Sequence, residues 1–335
     1  MTAPSSQTKS QQVRLISKND PERTSDQFET ETVHLPPLGS GEILVRNEWM
    51  LLSVVNVKLV REGDDPDVPM PPYRIGEVPW ALTVGTVVES RSDNVSEGVL
   101  VSHTSGWREF AVLDESACGQ LDRSLLPSSE HFLTQGPTAY RGMEILEVGD
   151  GDVVYVSGAS GAVGSLAGQI ARCRGAKQII GSAGSDDKVS YLVDELGFTD
   201  GFNYRDGDPL QHLQRVAPDG ISCFFDNVGG EQLRAAIDAA QPNARVALCG
   251  WQSGDKPVLD LAKVIGRDIR IRGFTSSYDP GHIHKWYVEF GKWLSEGNVV
   301  FPRTVVHGVS MAPEAIQWLI DGKVKGQLLV GLQDL

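Results

Sequence analysis

From Gly158 the chain reads Gly158-Ala159-Ser160-Gly161-Ala162-Val163-Gly164, with a glycine at every third position. Glycines so placed let the backbone turn tightly and come close to a phosphate. A helix that starts at such a turn offers unpaired N–H groups and the positive end of its dipole to an anion. The pattern is an offset variant of the dinucleotide-binding fingerprint. A plain tight turn would explain the glycines alone, so the flanks decide. Asp152 to Ser157 reads as a buried strand. Val163, Leu166, Ala167, Ile170 and Ala171 then mark the apolar stripe of a helix packed on a sheet. Strand, glycine turn and helix together point to a pyrophosphate cradle.

The next apolar run, Gln178-Ile179-Ile180, ends in Gly181-Ser182-Ala183-Gly184-Ser185. A site for NAD would place Asp or Glu there to bind the ribose 2′-hydroxyl. This chain has Gly and Ser instead, then Lys188 one helical turn on, and Tyr204 at the end of the following strand. A missing acid with a nearby cation suits a 2′-phosphate, and so NADPH. A solvated surface lysine is the plainer reading of Lys188. Asp186 and Asp187 fit the first turn of a helix capped by Ser185, where carboxylates favour the dipole.

The elements that must carry these residues follow from the rest of the pattern. Up to about Phe132, short strands alternate with Gly/Pro punctuation: Gly41–Val45, Thr83–Glu89, Gly98–Ser102 and Glu109–Val112. They suggest a small barrel-like β domain. Beyond it, apolar runs alternate with helical segments, the mark of a parallel sheet with crossover helices. The tail carries a helix near 313–320 and a strand near 327–330, expected to fold back on the first domain. The organisation is therefore an α/β chain of 335 residues: 1–130 as the first part of a β-rich domain, 131–297 as a nucleotide-binding domain, and 298–335 as the return. A formal net charge of -14 argues against nucleic acid and anionic membrane as partners and favours a small-molecule substrate. Met1 to Gln12 is polar, without the apolar core of a signal peptide. Four scattered cysteines, with no CxxC pair, suit a reducing cytoplasm better than a disulfide framework.

Taken in order, Val156 to Ser165, Gly184-Ser185-Asp186-Asp187-Lys188, Phe202-Asn203-Tyr204 and Phe225-Asp226-Asn227-Val228-Gly229-Gly230 resemble the zinc-free prostaglandin reductase group of the medium-chain dehydrogenase/reductase superfamily. Leu35-Pro36-Pro37-Leu38, Gly106-Trp107, Thr138-Ala139-Tyr140 and Arg272-Gly273-Phe274 look like further landmarks of that group. The resemblance implies a GroES-like β-rich domain plus a Rossmann doubly wound parallel sheet, with the active site in the cleft between, and a homodimer. It implies hydride addition from NADPH to the β-carbon of an α,β-unsaturated carbonyl compound. Carried over by position, Gly158, Gly161, Ala162, Val163 and Gly164 would line the pyrophosphate. Gly184, Ser185, Lys188 and Tyr204 would surround the 2′-phosphate, and Asn227 would lie along the adenosine or ribose. Cys249-Gly250 and Phe274-Thr275 would border the nicotinamide.

The chain departs from the group where substrate would be met. After Ser53-Val54 the group often has Asp-Pro-Tyr-x-Arg; here the run is Val55-Asn56-Val57-Lys58, which makes Asn56 a candidate substrate contact. A tyrosine usually follows the Cys-Gly pair by about five residues, and Asp255 stands roughly there. The terminal Asn-x-Gly-Lys-like signature reads Lys323-Val324-Lys325-Gly326-Gln327. Trp107 and Trp251 are candidates to line a bulky apolar pocket, with core packing the equal alternative. Tyr278 is a candidate proton donor, against a packing role. His282 and His284 sit at i and i+2, point apart on a helix and do not chelate, so no metal is expected. Cys249 reads as a small apolar filler rather than a reactive thiol.

Three outcomes remain open on this reading. The first is an NADPH-dependent enone reductase acting on a bulky substrate, such as one from natural-product biosynthesis. The second is a reductive cyclase, in which the enolate left by hydride addition attacks a second unsaturated group because no phenol protonates it. The third is a non-catalytic NADPH-binding protein of the quinone-reductase-like crystallin kind.

Overall fold

The computed structural model describes residues 8–20, 22–61, 70–276 and 279–333. The chain divides into two compact units, Met1–Thr134 with Arg303–Leu335, and Gln135–Pro302.

The first unit begins with β1 (Lys9–Leu15) and β2 (Phe28–His34), an antiparallel pair. There follow β3 (Glu42–Leu52), helix α1 (Val54–Arg61), β4 (Thr83–Ser90), β5 (Leu100–His103), β6 (Phe110–Asp114) and β7 (Gly119–Gln120). The second unit holds α2 (Gly136–Ile145), β8 (Val153–Val156), α3 (Gly164–Cys173), β9 (Gln178–Ala183), α4 (Asp186–Asp194), β10 (Asp200–Asn203), α5 (Pro209–Val216), β11 (Ile221–Asp226), α6 (Gly230–Asp238), β12 (Ala240–Leu248), α7 (Leu261–Gly266), β13 (Arg270–Gly273) and α8 (Pro280–Ser295). The chain then returns to the first unit with β14 (Arg303–His307), α9 (Ala312–Ile320) and β15 (Gln327–Gly331).

The first unit is built on a seven-stranded sheet in which β15 pairs antiparallel with β3 and β3 with both β4 and β6. The long strand β3 is buried along most of its length, and the sequence pattern exposed only its first half as a strand. One core gathers residues of β1, β3, α1, α9 and β15 together with Trp107 and Tyr73. A second cluster gathers Ile43, Val45, Val87, Val101 and their neighbours from β3 to β6.

The second unit is a six-stranded parallel sheet in the order β10-β9-β8-β11-β12-β13. The chain thus runs outward from β8 to one edge, returns beside β8, and runs outward to the other. That order reverses between β8 and β11, and loops at such a reversal form a crevice at the carboxyl ends of the strands. β8 is buried at every residue, as a parallel strand covered on both faces must be. The stacked rings of Tyr155 and Phe224, 4.7 Å apart, join the two central strands. The fold is the antiparallel β unit plus Rossmann-type parallel sheet that the pattern and the resemblance led us to expect.

Candidate functional site

Four loops meet at the carboxyl ends of β8, β9, β11 and β12, and each shows why its residues were needed. Gly158 leaves β8 with φ +58°, a left-handed conformation that favours glycine. A Cβ on Gly164 would lie 2.5 Å from the Gly158 carbonyl oxygen and 2.7 Å from Ala159 Cα, so the helix can start this close to the turn only without a side chain. The turn is braced from behind: Ala159 N–H donates to the Ser182 carbonyl at 2.9 Å, and Gly161 N–H to the Gly158 carbonyl at 3.1 Å. Ser165 N–H reaches the Gly161 carbonyl at 3.0 Å, whereas the N–H groups of Val163 and Gly164 find no backbone acceptor among the described residues. Two donors without a backbone acceptor at the start of a ten-residue helix, behind a glycine turn, could hold a pyrophosphate.

At the end of β9, Ser185 caps α4 and accepts from the Lys188 N–H at 3.4 Å. Asp186 accepts from Asn203 Nδ2 at 3.0 Å, which ties α4 to the end of β10. Gly184 leaves room for Tyr204: a Cβ there would come 3.1 Å from the phenol oxygen. The residues expected around a 2′-phosphate are therefore neighbours. Arg205, whose guanidinium stands 5.8 Å from the Tyr204 ring centroid, adds a cation that the motif reading passed over.

Asp226, at the end of β11, is the hub beneath these loops. It is fully buried, and its Oδ1 accepts from Ser157 Oγ at 2.7 Å and from the N–H groups of Val228 and Gly229 at 2.9 Å each. Its Oδ2 has no hydrogen-bond partner among the described residues, and burial raises its pKa above the ordinary carboxylate value. Asn227 gives its amide to the Ser157 carbonyl at 2.7 Å, so it fastens two loops as well as edging the crevice. Cys249 is tied to the Asp226 carbonyl by its N–H at 2.8 Å, and burial pushes its thiol up to about 12, which leaves it protonated and inert. Gly250 must be glycine, because a Cβ would meet the Asn227 carbonyl oxygen at 2.6 Å. Phe274 is fixed by its N–H to the Leu248 carbonyl at 3.1 Å and by an edge contact with Phe225, and Thr275 accepts from Arg141 at 3.0 Å.

The expected substrate contacts fare differently. Asn56 is 3 % exposed and committed to structure: its Oδ1 accepts from Ser53 N–H at 2.7 Å and its Nδ2 donates to the Tyr73 hydroxyl at 2.7 Å. It caps the start of α1 and is not presented to a ligand. Trp107 has no exposed surface and stacks on Phe28 at 4.8 Å, so it is a core residue of the first unit. Asn56 is taken up by its own neighbourhood, Ser53 and Tyr73, whereas Trp107 is covered by Phe28 from far earlier in the chain. Trp251 is 53 % exposed, with its Nε1 donating to the Asp255 carbonyl at 2.6 Å. The Asp255 carboxylate lies over the start of α6, where a Cβ on Gly230 would meet it at 3.3 Å. That places its charge at a helix N-terminus, which favours an anion. Tyr278 lies outside the described residues. His282 is more enclosed than a surface residue: its ring contacts the Pro137 carbonyl at 3.1 Å and packs on Tyr140. Among the described residues no group of three or more His, Cys, Asp or Glu is placed to hold a metal ion.

Comparison with known proteins agrees with this geometry. The family model described as zinc-binding dehydrogenase matches residues 162–293, and that described as the N-terminal domain of oxidoreductase matches residues 11–121. Prostaglandin reductase 1 of Mus musculus is 36 % identical over 327 residues, covering 92 % of this chain and 94 % of its own length. The NADPH-dependent curcumin reductase of Escherichia coli (strain K12) is 29 % identical, covering 91 % and 92 %. The crystal structure of CurA in complex with NADPH, from Vibrio vulnificus, superposes with a TM-score of 0.85 at 27 % identity, over 97 % of this chain and all of that one. Fold and loops define a medium-chain dehydrogenase/reductase. The chain belongs to the zinc-free group of that superfamily that includes the prostaglandin and curcumin reductases.

Proposed function

We propose that this protein is an NADPH-dependent reductase that adds hydride to the β-carbon of an α,β-unsaturated carbonyl compound. The observation that carries the reading is the cradle at Gly158–Gly164, with the free N–H groups of Val163 and Gly164, beside a strand end that has Gly184 and Ser185 where an acid would select NAD. When bound, the dinucleotide supplies the hydride. The protein's part is to hold it: the glycine turn takes the pyrophosphate, Lys188 and Tyr204 take the 2′-phosphate, and Cys249, Gly250, Phe274 and Thr275 wall the nicotinamide. The names of the relatives support both the cofactor and the enone class of substrate. Trp251 offers a broad apolar face beside these loops, which favours a bulky conjugated substrate such as a natural-product intermediate. Steady oxidation of NADPH, and much slower oxidation of NADH, is expected with long-chain enals, aryl enones or quinones. NADPH binding without turnover of any of them would instead make this a non-catalytic nucleotide-binding protein.

One observation favours a second outcome for some substrates. The family's tyrosine position holds Asp255, whose carboxylate sits over α6, so no phenol stands there to protonate the enolate. A substrate with a second unsaturated group within reach would then cyclise in competition with protonation by water. Turnover in heavy water separates the two: deuterium at the α-carbon of a linear product marks protonation, and an added ring marks cyclisation.

The same reading includes a homodimer in the cytoplasm. All four cysteines are unpaired. Strand β13 ends the parallel sheet with every residue exposed, and Leu261 and Ile265 of the adjacent α7 are 66 % and 79 % exposed. An open edge beside exposed apolar residues suits strand pairing with a second copy. Sedimentation at micromolar concentration is expected to give twice the chain mass; a monomer would contradict this.

A further inference from the structure

The segment from Cys249 to Asp255 rides on the turn that follows β11. Gly250 N–H donates to the Asp226 carbonyl at 3.1 Å, Gln252 N–H to the Asn227 carbonyl at 3.4 Å and Ser253 N–H to the Val228 carbonyl at 2.9 Å. The Trp251 indole closes the far end through its 2.6 Å bond to the Asp255 carbonyl, and Gly254, with φ +71°, completes the turn by donating to the Trp251 carbonyl at 3.3 Å. The backbone of Gln252 is thus pinned from both sides. Its side chain is exposed. The Oε1 atom stands 4.0 Å from where a Cβ on Gly158 would be, next to Asn227 Cβ and Val228 Cγ2. A flexible carboxamide therefore lies beside the first glycine of the phosphate turn, on a loop whose backbone is tied down.

We infer that Gln252 is a cofactor-binding residue, whose carboxamide N–H donates to the pyrophosphate of the bound dinucleotide at the Gly158 turn. The inference rests on the dinucleotide reading above and adds a contact outside the glycine motif. An amide rotates freely about its last torsion, so the NH2 group can take the position that Oε1 holds here. The pyrophosphate is common to NADPH and NADH. A contact to it strengthens both equally, whereas Lys188 distinguishes them.

The test is equilibrium titration of the unmodified protein and variants with NADPH and with NADH, followed by nicotinamide fluorescence. Gln252→Ala is expected to weaken both cofactors by the same factor, about five- to tenfold, as for loss of one hydrogen bond to an anion at a solvated site. Gln252→Glu is expected to weaken both further, with the added loss shrinking as salt rises, because it sets a carboxylate beside the pyrophosphate. Trp251→Phe, which removes the bond that closes the turn, is expected to act in the same direction and less strongly. Unchanged affinities in Gln252→Ala would overturn the inference. So would a loss confined to NADPH, or a loss accompanied by a lowered melting temperature, which would assign the effect to a loosened loop. Failure of the unmodified protein to bind either nucleotide would overturn the dinucleotide reading itself, and this inference with it.

Discussion

The loops of the parallel sheet and the polar residues of the β-rich unit treat their hydrogen bonds in opposite ways. Around Gly158 to Gly164 the backbone keeps donors unspent, close approaches are met by glycine, and one buried aspartate ties the neighbouring loops together. In the β-rich unit, the polar groups around Asn56 and Glu48 are consumed by one another. Asn56 binds Ser53 and Tyr73, the Tyr73 hydroxyl donates to the Trp80 carbonyl at 2.5 Å, and Glu48 accepts from Thr86 and Ser129. A binding site shows itself by bonds left open, and a core by bonds already closed.

The sharpest way to break the comparison is to fill the cradle. Gly164→Val forces a Cβ against the Gly158 carbonyl, and is expected to weaken NADPH binding by about a thousandfold while the β-rich unit keeps its stability. Binding within a few fold of the unmodified protein would mean that the close approach of helix and turn is not what makes the site.

Two buried ionisable groups sharpen it through pH, with opposite signs. His103, in the β-rich unit, is held down to about 4, first by burial and then by the charge of Arg108. The unfolded chain binds that proton near the ordinary value of 6.5, so stability is full above 6.5 and falls as pH drops towards 4, by about 3 kcal/mol. Asp226, in the other unit, is shifted upward by burial, so its contribution falls as pH rises from the ordinary carboxylate value through its raised one. Urea unfolding across this range should show a flatter acid limb for His103→Gln than for the unmodified chain, and should show Asp226→Asn relieved at the alkaline side of its window. Parallel curves for either variant would contradict the corresponding assignment.

Lys188→Ala is expected to weaken NADPH by roughly ten- to a hundredfold and to leave NADH nearly unchanged, since a charge-assisted contact of this kind contributes about 1.5–3 kcal/mol. Equal affinities of the unmodified protein for the two cofactors would remove the 2′-phosphate site from the account. Asn56→Ala is expected to act on stability alone. It should cost about 2 kcal/mol of stability through the orphaned Tyr73 hydroxyl and Ser53 N–H, with cofactor and substrate affinities unchanged. A shift in substrate KM with no loss of stability would return Asn56 to the substrate site.

What could be read in advance follows the same division. The glycine turn, the cap at Ser185 and the alternation of strand and helix are local consequences of backbone geometry, so residue types and spacing carry them. The strand order, with β8 at the centre, follows from that alternation and from the handedness of crossovers. The burial of Trp107 is not local: Phe28, on a strand that lies nearly eighty positions earlier, is what covers it. Asp255 was read against the family's tyrosine, but its setting over α6 depends on Gly230, in another loop. Gln252 belongs to no motif, and only the folded turn brings it to Gly158. Asp226 stood in the motif without a role, because a buried carboxylate acquires one only through the groups that surround it.

On the proposed reaction, hydride passes from NADPH to the β-carbon of a conjugated carbonyl. Single turnover of an aryl enone with NADPH deuterated at the transferable C4 position, followed by NMR of the product, tests it most directly. The expected product is a saturated ketone, or a cyclised compound, with one deuterium at the former β-carbon and none at the carbonyl carbon. Deuterium at the carbonyl carbon of an allylic alcohol would contradict it and make the protein a carbonyl reductase.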